Sequence, residues 1–244
     1  MPYLSKREIE SIAARVVNAY QGLVGSKDHC VQPICPEILL QELLGLSISY
    51  RTLSTDGSIL GMTAFEQIGV RVYEKGEPTH FFLDGRTVLI ESALTAPGTN
   101  PGRLHFTLVH EACHQIFRML FPKEYGSGTS CRRVYCYTGS AIQYEIKPVD
   151  WEEWRVNSLA AAILMPPALL IEQMRIVGLP AKIRILNCVF APKAHQAFVS
   201  IAEAIGVSKS ALAIRMRQLG LLERDDLKDP YALVRVEMDD DSEF

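Results

Sequence analysis

The sequence predicts an α+β fold, with a small, mostly antiparallel sheet set among helices and a small helical segment after it. Three patterns predict it. Apolar residues recur at helical spacing near the N-terminus and in two long stretches after residue 100. Between residues 47 and 91, short runs rich in β-branched and aromatic residues are separated by Asp-Gly and Lys-Gly turns. From about residue 180 the chain becomes basic and again helical. The expected units are a first domain over 1–179, a helical segment over 180–222 and a flexible acidic tail over 223–244.

The elements follow in order. Ser5 and Glu8 stand in capping-box spacing before Ile9, Ile12, Ala13, Val16 and Val17, so a helix should span about 5–20. CPEILLQELLG reads as a second helix, with Pro36 in its first turn and Gly45 at its exit. SISYRTL, ILGMTAF, GVRVYE, HFFLD and RTVLIE are the strands, with turns at Asp56-Gly57, Lys75-Gly76 and Asp84-Gly85. Asn100 and Pro101 open a helix that Phe121-Pro122 should stop. Residues 122–148, rich in Cys and Tyr, read as a long loop over the site. Another helix should run from about Asp150 to Met165, ended by Pro166-Pro167, and a short one follows.

Bulk properties narrow the classes. The chain has 244 residues, 48% apolar and 22% charged, with a net charge of -3. That balance argues against nucleic-acid affinity of the whole protein, though not against a local basic patch. No apolar run approaches the roughly 18 residues that span a bilayer. The polar start MPYLSKREIE lacks a signal-peptide core. A cytoplasmic protein with no membrane partner is expected, and its six cysteines should be thiols. The spacings Cys30/Cys35 and Cys131/Cys136 do not suit a zinc finger.

The stretch FTLVHEACHQIF carries the chemistry. On a helix, His110 and His114 share a face one turn apart and can offer two imidazoles to one ion. Glu111, about 100° round, can reach a water on that ion. Phe106, Leu108, Val109, Ala112, Ile116 and Phe117 make the helix apolar nearly all round, so its polar groups need partners. Zn2+ suits two neutral imidazoles and a carboxylate, and Mn2+ is the alternative. For the third ligand, Glu153 is favoured because it shares a face with Asn157 on an otherwise apolar helix. Glu152 is its competitor, and Glu145 and Asp150 remain open. Asn157 would orient a ligand histidine through a hydrogen bond. Cys113 faces away and should only pack.

FVSIAEAIGVSKSALAIRMRQLGLL has the form of a helix-turn-helix, with Gly206-Val207-Ser208 as the turn. Lys209, Ser210 and Arg217 could contact DNA or a partner, while Arg215 sits where that motif wants an apolar residue. DNA binding through 196–219 is possible; a packed hairpin bracing the first domain is favoured over it.

GRLHFTLVHEACHQIF, EEWRVNSLAAAILMP and IGVSKSALAIRMRQLGLL, in this order, resemble the ImmA/IrrE metallopeptidases, over roughly residues 5–222. Arg103, Phe106, Thr107, His110, Glu111, His114, Glu153, Asn157, Met165 and Pro166 match that family's pattern. Val156 and Leu159 replace its usual Ala and Phe, and the interval between His114 and Glu153 is longer. The resemblance implies a zincin-like, cytoplasmic zinc endopeptidase that cuts a regulatory protein, often a DNA-binding repressor of a mobile element or stress response. In such a mechanism Glu111 is the catalytic base. His80, Tyr125, Tyr135 and Tyr137 are candidate donors to the oxyanion. Two other classes stay open: a DNA- or repressor-binding regulator with a structural or inactive metal site, and a toxin–antitoxin type binding partner.

Overall fold

The computed structural model describes residues 4–25, 31–125, 134–137, 151–186 and 192–225. It is a mixed α+β structure with small sheets. Helix α1 spans Lys6–Val24, and its capping box is formed: Ser5 accepts from the Glu8 amide while Glu8 accepts from the Ser5 amide. Ile9, Ala13, Val17 and Tyr20 make its buried stripe. The second expected helix is a single α-turn, α2, Pro36–Ile38, continued by a π-helical turn, Leu39–Leu43. Leu39 and Leu40, both fully buried, anchor it.

The strands are β1 Ser47–Arg51, β2 Ile59–Thr63, β3 Gln67–Glu74, β4 Glu77–Asp84, β5 Thr87–Glu91 and β6 Val134–Tyr137. The main sheet runs β1-β5-β2-β6. Its β5–β2 and β2–β6 pairs are antiparallel, as expected, but β1 and β5 are parallel. With β2 on one edge of β5, the chain brings β1 to the other edge in the opposite sense from a hairpin. Strands β3 and β4 form a separate antiparallel ribbon rather than extending that sheet. Lys75 (φ 53°) and Gly76 (φ 88°) make its two-residue turn, the left-handed pair whose twist suits a tight hairpin.

Helices α3 Pro101–Leu120, α4 Pro122–Tyr125, α5 Trp151–Leu164 and α6 Pro167–Ile176 follow. Next come β7 Ile183–Leu186, α7 Pro192–Ile205, α8 Lys209–Gln218 and β8 Leu222–Asp225. Strands β7 and β8 pair in parallel, so the first residues of the expected flexible tail are part of a ladder. β6, too, lies in what reads as loop. The rest of 122–148 beyond α4 and β6, and the tail past 225, are outside the described residues. Among the described residues, no single helix is long and apolar enough to cross a membrane.

One hydrophobic core joins α1, α3, α5, α6, α7 and α8, so it crosses the expected boundary at 179/180. A smaller cluster, including Met62, Val70 and Leu89, fills the space between the sheet and the ribbon. Helices α7 and α8 bend by 101° at Gly206-Val207-Ser208, an angle typical of helix-turn-helix pairs. Ser208 caps α8 by accepting from the Ala211 amide. Arg215 explains its own misfit to that motif: it is 3% exposed and turned inward. Its Nε donates to Met165 O (3.1 Å), and both Nη groups donate to the Glu10 carboxylate, one of them at 2.9 Å. The guanidinium fork thus ties α8 to α1 and to the end of α5.

Removing the guanidinium strips three hydrogen bonds from a junction that is buried at Arg215 and Met165 and part-exposed at Glu10. Arg215→Ala should destabilise the protein by about 2 kcal/mol, read from urea denaturation, since water can solvate the half-exposed Glu10 that is left. A loss below about 0.5 kcal/mol would show that this pair does not hold the hairpin.

Candidate metal centre

Helix α3 starts as its sequence dictates. The Asn100 side chain accepts from the Gly102 amide (2.9 Å) and Pro101 occupies the first turn. From Thr107 to Phe117 every residue is buried, because the sheet covers one side and α5 the other. Polar groups inside must therefore be partnered. Gln115 donates to Thr63 Oγ1 (2.7 Å) and Ala64 O (2.9 Å), which clamps α3 to β2. Spacing alone does not single out Gln115; its signal in the sequence is a glutamine on a helix apolar nearly all round.

His110, Glu111 and His114 are all at most 1% exposed. The two Nε2 atoms face each other at 3.2 Å. Glu153, in the first turn of α5, closes the triangle: Oε2 is 3.3 Å from His110 Nε2, and Oε1 is 3.6 Å from His114 Nε2. Two donors about 2.05 Å from one tetrahedral ion stand about 3.3 Å apart, so these spacings are those of a ligand set. His110, His114 and Glu153 form a group that can bind a metal ion, and Glu152 is not part of it. Glu145 and Asp150 lie outside the described residues. His110 Nδ1 donates to Asn157 Oδ1 (3.0 Å), which leaves Nε2 with its lone pair toward the centre.

Burial, and then the His110 ring beside it, push the His114 imidazole well below its usual range. It stays neutral, the form a metal needs. Cys113 is buried between the ligands, and burial followed by Glu111 raises its thiol well above the ordinary value. It is a packed, protonated thiol, as its place on the helix implied.

Of the other candidates, His80 stands apart from this centre. His80 is exposed in mid-β4, opposite Arg71 on the ribbon, away from the sheet that carries β2. Tyr135 and Tyr137 lie opposite Met62 and Ile59 in the β2–β6 ladder. Tyr125 ends α4. The side chains of these three tyrosines are outside what the structure describes. Lys209, Ser210 and Arg217 are exposed on α8.

Asn157→Ala should weaken zinc binding about 10- to 100-fold, measured by competition with a fluorescent chelator. The metal-free protein should also be acid-sensitive. With the folded pKa of His114 depressed, the unfolded chain binds the extra proton first. Stability is then fully present above about pH 6.5, the unfolded histidine value, and falls as pH drops below it. Calorimetry of the metal-free protein from pH 8 to pH 5 should show a falling Tm, with a smaller slope in His114→Gln.

Compared with known proteins, the sequence matches no family model and no curated protein, so its function has to be read from the geometry of this centre.

Proposed function

We propose that the chain is a zinc-dependent endopeptidase, zincin-like and of the ImmA/IrrE kind, acting on a regulatory protein such as a DNA-binding repressor. The observation that carries this reading is the triangle of donor atoms on His110, His114 and Glu153, 3.2, 3.3 and 3.6 Å apart, with Glu111 next to one ligand in sequence. Two imidazoles and one carboxylate favour zinc; manganese prefers a site richer in oxygen.

Zinc held there would supply an acidified water and a Lewis acid for the scissile carbonyl. The chain's own residues do the rest. Asn157 fixes the His110 ring and its tautomer. Glu111, fully buried on the helix between the ligands, takes the proton of the attacking water and returns it to the leaving amine. The apolar walls of α3 and α5 limit bulk water around these groups, so their charges act at low dielectric. The choice of a repressor as substrate rests on the resemblance of the three motifs.

A second reading is supported by the 101° bend between α7 and α8 and by the exposed Lys209, Ser210 and Arg217. These could set α8 in a DNA groove. It ranks second because Arg215 is committed to the interior. Replacing Lys209, Ser210 and Arg217 by alanine should leave peptidase activity unchanged and abolish any salt-sensitive DNA affinity seen by fluorescence anisotropy.

Glu111→Gln should keep about one zinc per chain by elemental analysis and lower hydrolysis of fluorescein-labelled casein by about 10³-fold. The same inactive variant should trap substrates for identification by mass spectrometry. Wild-type activity in Glu111→Gln would overturn the assignment.

A further inference from the structure

Gly61 is an anomaly in β2. It lies inside a buried, apolar strand, where glycine weakens both strand formation and packing. Its backbone is not among the left-handed glycines, so a turn conformation does not explain it. Space does. A Cβ on Gly61 would stand 2.6 Å from Glu111 Oε1, 2.9 Å from Glu111 Cγ and 2.8 Å from Thr107 Cγ2. All three atoms belong to α3. The strand's backbone therefore lies directly against the carboxylate of Glu111. The β2–β6 register also shifts between Ile59 and Met62, placing a ladder irregularity across this residue. Such irregularities commonly re-aim a strand beside a site.

Helix α3 cannot back away to make room. Gln115 holds it to β2 through Thr63 and Ala64, and α5 packs on its other side. The tightest contact is with the far end of the Glu111 side chain, so that end is the group a methyl would displace. We propose that Gly61 is a positioning residue: its missing side chain lets the β2 backbone serve as the wall that sets the Glu111 carboxylate for proton transfer. This rests on Glu111 being the base of the proposed peptidase. It separates two properties that a packing role would join. The ligands His110, His114 and Glu153 should be untouched by a methyl at position 61, while the carboxylate is displaced.

The test uses the full chain with Gly61→Ala. A crystal structure of the metal-free variant should show the Glu111 carboxylate moved by about 1 Å, and zinc affinity by chelator competition should stay within about threefold of wild type. Hydrolysis of fluorescein-labelled casein should fall about 100-fold, in kcat rather than KM, as expected for a 1 Å misplacement. Should Gly61→Ala melt early, Gly61→Ala with Thr107→Ser removes the methyl contact and keeps the hydroxyl that donates to Arg103 O, leaving Glu111 as the group that clashes. An unmoved carboxylate, a parallel loss of zinc affinity, or full activity beside an inactive Glu111→Gln would each overturn the proposal. If wild type cuts nothing, the peptidase reading fails, while the position of the carboxylate in the variant structure still decides whether Gly61 sets it.

Discussion

The rest of the structure depends on keeping two imidazoles and a carboxylate inside an apolar helix. Between Thr107 and Phe117, α3 has no residue open to water. Leaving polar groups there uncompensated would cost several kcal/mol each. For the two imidazoles, compensation comes from one neighbour. Helix α5 brings Glu153 to both rings and Asn157 to one of them, four residues apart on the same face. Its other residues, such as Val156, Leu159, Ala160 and Ile163, seal the contact with the core.

The position of α5 is in turn fixed from behind. Helix α1 packs along it, and Met165 just after its end accepts from Arg215, which also grips Glu10 of α1. The ion pair is therefore a brace behind the third ligand as much as a device of the C-terminal hairpin. A half-buried ion pair often contributes little net stability, and its directional hydrogen bonds act on geometry. Here it joins α8 to α1 and to the end of α5, the helix that carries Glu153.

What was legible in the sequence was local. The i, i+4 spacing put His110 with His114 and Glu153 with Asn157 on common faces, and the caps at Ser5, Asn100 and Ser208 marked where helices begin. What was not legible depends on partners far away in the chain. The parallel register of β1 on β5, and the pairing of β7 with β8, join segments about 40 residues apart, whose register no local turn between them sets. The strand β6 and the inward Arg215 were missed for the same reason. Gly61 is an intermediate case. An isolated glycine in ILGMTAF signals a close backbone approach, but only the folded chain says that the approaching group is Glu111.

The α7–α8 turn completes the logic of a rigid centre. A Cβ on Gly102 would stand 2.4 Å from the backbone of Val207 and Ser208, and His105 Nδ1 meets Gly206 O at 2.9 Å. The first turn of α3 is thus seated in the hairpin turn. Further along, Gln115 clamps the helix to β2, and Arg118 lies over the Phe65 ring with its charge 5.6 Å from the centroid. Helix α3 is pinned before, beside and after its ligands. A metal centre needs its donors held to within about half an ångström, and side chains on a rigid, multiply anchored helix achieve that better than side chains on loops. The bend between α7 and α8 therefore has a structural use in this chain whether or not α8 meets DNA: its turn is the socket in which the helix that carries His110 and His114 begins.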